Sequence, residues 1–275
     1  MNMENIIYSP SYENSFALII GINNYQNATP LGYAVSDAKA VAKILKTTFD
    51  FPAENIKLLL DEKATRNNIM EAFMSYANNN VSPNDRILVF FAGHGMTIQG
   101  RRREVGFLVP FDGDQANLST LIRWDDLTRN AELIAAKHIL FIMDACYGGL
   151  AITRSLPSGS MRFLKDMLQR YSRQVLTAGK ADEVVSDAGG PIPNHSVFTG
   201  HFLQGLQGKA ATDDGIITAN GIMSYVYDKV AKDLHSRQTP HFGYLDGDGD
   251  FIFKAPLLNE LNKEDRVDED VLVSG

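Results

Sequence analysis

Short apolar runs bounded by turn residues alternate along this chain with segments of helical spacing, and that alternation limits the fold more than any other feature. Residues 16–21, 56–60, 86–92, 138–143, 173–177 and 250–253 read as buried strands. Between them Ala38, Val41, Ala42 and Leu45 form one helical stripe. Ile69, Met70, Phe73, Met74 and Ala77 form another, behind Thr65 as a helix N-cap. Residues 118–135, 196–207 and 220–235 read as further helices. Parallel strands need long crossovers, and crossover helices cover the sheet on both faces. The expected fold is therefore α/β: a three-layer sandwich with a mostly parallel central sheet of about six strands and helices on both sides.

In open sheets of this kind ligands bind beyond the carboxyl ends of the strands. The run RILVFF ends in Ala92-Gly93-His94-Gly95, and HILFIM ends in Asp144-Ala145-Cys146-Tyr147-Gly148-Gly149. A glycine-flanked histidine and the single cysteine thus follow two strands separated by one crossover. Neighbouring strands lie about 4.8 Å apart, which would set the two tips face to face. A thiol is mostly protonated at neutral pH, and an adjacent imidazole activates it as thiolate. Cys146 is the candidate nucleophile and His94 its base. The N–H groups of Gly95 and Cys146 are candidates for an oxyanion hole. The bland reading, a lone cysteine as buried filler, is weakened by the two glycines that follow it.

With one cysteine among 275 residues there is no internal disulfide and no four-cysteine zinc site. Against 33 acidic residues stand 26 basic ones, so the net charge of −7 argues against nucleic acid as a partner. No apolar run approaches the roughly 20 residues of a membrane span. The first residues carry neither a basic start nor an apolar core. The chain is expected to be a cytoplasmic monomer with no membrane partner.

The pieces FALIIGINNY, LGYAVSDAKAVAKIL, RILVFFAGHG and HILFIMDACYGG together resemble the caspase-like cysteine peptidases. His94 and Cys146 are 52 residues apart, close to the caspase spacing of about 50. RQVLTAGKADEVVSD, HSVFTGHFLQGL and QTPHFG resemble the small-subunit portion of that fold. The likeness is closer to metacaspases, paracaspases and their prokaryotic relatives than to aspartate-cutting caspases. Caspases carry glutamine two residues before the cysteine, where this chain has Asp144, and between Asn23 and Asp37 there is no Lys or Arg. The resemblance implies a cysteine endopeptidase acting on proteins or peptides, with Asp37 and Asp144 as the acidic pair of an S1 pocket for Arg or Lys. It implies a large-subunit-like part at 15–150, a connecting loop at 151–172 and a small-subunit-like part at 173–257, with 1–14 as an extension and 258–275 as an acidic tail. It leaves room for activation by a regulatory partner, by calcium or by self-cleavage.

Strand alternation places Asp144 on the same side of its strand as Cys146. A carboxylate left unpaired in a crevice is costly, and a substrate guanidinium would satisfy it. The alternative is that Asp37 only caps the first helix and Asp144 only orients a loop. Arg154, followed by Ser155, is the expected point of self-cleavage in a basic, exposed loop. In calcium-dependent metacaspases an acidic pair like Asp125-Asp126 contributes to a metal site. Here the further carboxylate expected after the cysteine is absent from 150–155, and an acidic helix start is the better reading. No cofactor is expected. His138, His195, His201, His235 and His241 show no metal-site spacing and are read as structural or surface. Arg101-Arg102-Arg103 reads as a solvated loop. Asp246, Asp248 and Asp250 imitate an EF-hand start, but Phe251 and Leu257 stand at its sixth and twelfth positions, so a turn at Gly247 and Gly249 is expected instead. Two other readings stay open: a catalytically silent scaffold of the same fold, and a different thiol hydrolase such as an amidase or transpeptidase.

Overall fold

The structure, a computed structural model, describes residues 12–78, 81–102, 104–146, 167, 169–179, 189–213, 215–236 and 238–254, with the backbone alone for Cys146 and Lys254. Its centre is a six-stranded sheet built from β1 (Ser15–Gly21), β2 (Ile56–Leu60), β3 (Arg86–Ala92), β7 (His138–Cys146), β8 (Ser172–Gly179) and β10 (His241–Gly247). The strand order is β10-β8-β7-β3-β1-β2. The first five strands in sequence are parallel to their neighbours and β10 is antiparallel to β8. The expected mostly parallel α/β sandwich is therefore the fold.

Each strand has a two-residue side-chain period, so the sheet divides the core in two. Ile19, Phe90, Leu140, Ile142 and Leu176 face α1 (Ala34–Thr48), α4 (Val197–Gln204) and α5 (Ala219–Lys232). Ile20, Phe91, Phe141, Met143 and Val175 face α2 (Arg66–Met74) and α3 (Trp124–Asn130). Thr65 caps α2 as expected, its side chain accepting from Asn68 N. The stripe on α1 buries Ala38, Val41 and Leu45, and with them one charged residue, Asp37.

Two local expectations need correction. Residues 118–135 do not form one helix. A 3-10 turn at Leu118–Thr120 leads into β6 (Ile122–Arg123), then α3, then a second 3-10 turn at Ala131–Leu133. Pairing overrides local helical spacing there: β6 completes a small antiparallel sheet with β4 (Gly95–Gln99) and β5 (Glu104–Leu108). The sixth strand of the main sheet is β10, not residues 250–253. The latter contribute β11 (Ile252–Lys254), which pairs with β9 (Ile217–Thr218). Between β10 and β11 lies the expected turn: Gly247 has φ 69°, in the left-handed region that favours glycine.

Asp250 leaves that turn pointing inward. Its Oδ1 accepts from Gln174 Nε2 at 2.9 Å and from Asn220 N at 3.2 Å, tying β8 to the start of α5. Burial pushes its carboxyl up to about 6, against those hydrogen bonds. The folded chain then holds this proton more tightly than the unfolded chain. Its contribution to stability is greatest at low pH and declines as pH rises from about 4 to the folded value, staying low above it. Asp250→Asn, which keeps an oxygen for both donors, is expected to be more stable than the wild type by about 1–2 kcal/mol at pH 8 and by much less at pH 4. Urea unfolding of both chains at the two pH values measures the difference.

Candidate functional site

From β1 the chain runs to β2 on one side and later to β3 on the other, so the winding reverses between β1 and β3. Such a reversal opens a crevice beyond the strand ends. The loop after β1 and the loop after β3 meet in it. Ala92 of β3 stands opposite Asp144 of β7 in register. His94 and Cys146 each lie two residues further on, His94 past the end of β3 and Cys146 as the last residue of β7, where its backbone pairs with Gly179 of β8 after a register shift. The link between the tips continues through Gly93 N, which donates to Asp144 O at 3.2 Å.

His94 is held by the β1 loop. Its N–H donates to the Tyr25 hydroxyl at 2.8 Å, and the two rings lie 4.9 Å apart. Gly93 permits this approach, since a Cβ there would stand 2.6 Å from the Tyr25 oxygen. The imidazole Nε2 lies 2.8 Å from the main-chain oxygen of Thr29 and 3.4 Å from its hydroxyl. A carbonyl can only accept, so Nε2 carries the proton and Nδ1 is the basic nitrogen. The loop that presents Thr29 is braced along its length. Asp61 Oδ1 accepts from Asn23 N and Asn24 N, each at 2.9 Å. Asn23 Nδ2 donates to Gly32 O at 3.0 Å, and Asn23 Oδ1 accepts from Val35 N at 3.0 Å in the first turn of α1. Gly95 follows His94 as the first residue of β4.

Asp37 and Asp144 come together on the α1 and α4 side of the sheet. Alternation along β7 puts Asp144 on the face of Leu140 and Ile142. Its Oδ2 accepts from Ser196 Oγ at 2.5 Å and Thr199 Oγ1 at 2.6 Å. Ser196 is the N-cap of α4, its Oγ also accepting from Thr199 N at 2.9 Å. Asp37 faces the same serine, 3.4 Å from Ser196 N through either carboxylate oxygen. Its Oδ1 lies 2.6 Å from Nδ1 of His195. Burial pushes the Asp37 carboxyl up, while the His195 contact pulls it down, with burial the larger effect. The two carboxylates are thus not the unpaired groups expected from sequence. Hydroxyls engage Oδ2 of Asp144, and an imidazole engages Oδ1 of Asp37. His195, read from sequence as structural or surface, belongs to this cluster.

The sequence predicts a helix from 196 but does not single out Ser196 or Thr199, whose only local signal is a pair of hydroxyls three apart at a helix start. Tyr25 and the Thr29 carbonyl had no signal: one is a common turn residue and the other a main-chain atom. Asp125 and Asp126 open α3, where Asp125 Oδ2 is 2.8 Å from Arg123 Nη2. Among the described residues no group of three or more His, Cys, Asp or Glu could hold a metal ion. Arg101 and Arg102 are exposed in the turn between β4 and β5. Arg154 lies outside the described residues. No helix among those described is long and apolar enough to cross a membrane.

A caspase-domain family model matches residues 14–245. Metacaspase-1A of Aspergillus oryzae is 33% identical over 85 residues, covering 29% of this chain and 20% of that protein. Metacaspase-1 of Eremothecium gossypii is 26% identical over 165 residues, covering 53% of this chain and 34% of that protein. Metacaspase-5 of Trypanosoma brucei brucei is 31% identical over 112 residues, covering 36% and 22%. The chain thus spans a fifth to a third of the length of these curated relatives. The crystal structure of protein GSU0716 from Geobacter sulfurreducens has the same fold, with a TM-score of 0.60 at 18% identity over 88% of this chain and 98% of that one.

Proposed function

The chain belongs to the caspase-domain family of peptidases, and from that premise we propose that it is a cysteine endopeptidase cutting after basic residues, Arg before Lys. The observation that carries the catalytic part is the register of β3 and β7. These strands are adjacent and paired as far as Ala92 and Asp144, two residues before His94 and Cys146, which supports the pairing of the two, and with Nε2–H of His94 spent on Thr29 its Nδ1 is left as the proton acceptor. In the proposed reaction Cys146 Sγ attacks the scissile carbonyl carbon as His94 takes the thiol proton. The oxyanion of the tetrahedral intermediate is held by the amides of Gly95 and Cys146. Collapse breaks the C–N bond, and the histidine returns its proton to the leaving amine. Water, deprotonated by the same histidine, then hydrolyses the thioester and frees the thiol.

The specificity part rests on Asp37 and Asp144, two carboxylates converging on Ser196 beside the catalytic end of the sheet. A guanidinium can engage carboxylates through two parallel N–H groups, an ammonium only as a point charge, which favours Arg over Lys. Peptide cleavage after residue 154 is proposed as a processing event, because the segment that holds it connects neighbouring strands β7 and β8 and bears basic residues at 154, 162, 165 and 170.

Intact-mass measurement tests both parts. Incubated with a peptidyl-arginyl chloromethyl ketone, the chain is expected to gain one inhibitor mass, on Cys146, and Cys146→Ala none. Incubated without it, the chain is expected to be cut after Arg154. An unlabelled wild type would favour the silent-scaffold reading. A labelled chain that stays uncut would remove self-processing and leave the peptidase intact.

A further inference from the structure

Asp37 already has a cation-like partner inside the chain. Its Oδ1 lies 2.6 Å from His195 Nδ1, and the two side chains are 1% and 14% exposed. A carboxylate oxygen only accepts, so the ring nitrogen donates. The imidazole reaches this position through a local device. Asn194 holds φ 62°, a left-handed conformation that most residues avoid and that Asn tolerates. Its carbonyl accepts from Ser36 Oγ at 3.0 Å. The segment carrying His195 is therefore latched to α1 at consecutive positions, Ser36 to Asn194 O and Asp37 to His195 and Ser196 N. Among the described residues the other contacts at this corner need no imidazole: Ser196 caps α4, and Ser196 together with Thr199 engages Asp144.

We propose that His195 is an affinity-setting residue of the cation pocket, an internal occupant of Asp37 that the basic side chain of a substrate must displace. The inference rests on the reading of Asp37 and Asp144 as the cation pocket. Its physical content is that a pocket open only part of the time lowers the apparent affinity of every cation by the open fraction. Displacement weakens Arg and Lys equally. It therefore leaves their ratio unchanged and sets a threshold that weakly held side chains fail to pass.

The test compares wild type, His195→Ala and His195→Lys with matched peptides ending in Arg and in Lys, and with benzamidine as a planar cationic competitor. In His195→Ala the KM for both peptides and the benzamidine Ki are expected to fall together by about 3- to 10-fold with kcat unchanged, the pattern of a uniform gain in binding. In His195→Lys, where a tethered ammonium takes the carboxylate, they are expected to rise at least about tenfold. Alkylation of Cys146 by iodoacetamide, which needs no pocket, should not change. A residue that merely supports the pocket cannot tighten binding when it is removed. A raised KM, or a lowered kcat, in a folded His195→Ala would overturn the proposal. Should that variant not fold, an unchanged benzamidine Ki in His195→Lys would overturn it as well. A wild type that prefers Arg but shows neither shift removes the role of His195 alone. A wild type with no preference for basic peptides and no benzamidine binding removes the pocket itself.

Discussion

Replacing Cys146 or His94 by alanine is expected to leave less than about a hundredth of the peptide-cleaving rate, with the fold intact. Groups that act as one catalytic unit lose nearly everything when either is removed. The size of the loss follows from the division of labour at the strand tips. Without the thiol there is no covalent route. Without the imidazole the thiol is mostly protonated near neutral pH, and the leaving amine has no proton donor. The fold should tolerate the change at His94, because Tyr25 receives its main-chain N–H, which alanine keeps. Turnover of an Arg peptide measures the first claim, and circular dichroism with urea unfolding the second. Residual activity above that level in either folded variant would show that the dyad is misassigned.

Peptides ending in Arg are expected to be cut faster than those ending in Lys, and those ending in Asp scarcely at all. A substrate carboxylate would bring a third negative charge against Asp37 and Asp144. Removing one partner of a buried, hydrogen-bonded charge pair costs about 2–5 kcal/mol, so Asp144→Asn and Asp37→Asn should each lose about 30-fold or more in kcat/KM on the Arg peptide. Asparagine is the informative replacement. Asp144→Ala would leave the hydroxyls of Ser196 and Thr199 without their acceptor, a stability cost of about 1–3 kcal/mol that would blur the kinetics. Cys146 should still react with iodoacetamide in both variants. Preference for Asp at the cleaved position would overturn the pocket assignment.

Much of this was legible in the sequence for a physical reason. Buried parallel strands are apolar along their whole length, so β1, β3 and β7 stand out, and chemistry in such sheets collects where those runs stop. His94, Cys146 and Asp144 were singled out as candidates in that way. Edge elements were harder. β10 carries Gly243 and Gly247 and follows Pro240, and a strand buried on one side only needs no continuous apolar run. β6 spans two residues and exists because β5 offers it an edge, which no local pattern encodes. The contact of His195 with Asp37 joins positions 158 apart, and spacing along the chain carries no information about it. The expectation of unpaired carboxylates failed for that reason: their partners come from a segment whose position only the assembled sheet defines.

The hydrogen-bond acceptor behind His94 is the main-chain oxygen of Thr29, an atom that every amino acid carries. No substitution at position 29 deletes it, so a residue-by-residue mutational scan would score that position as tolerant however much the reaction depends on it. Selection can reach the acceptor only through the residues that shape its loop. Asn23 and Asp61, which touch nothing that reacts, fasten that loop at both ends. In a map of mutational sensitivity they would stand out as though they were part of the chemistry, and the atom they serve would leave no trace.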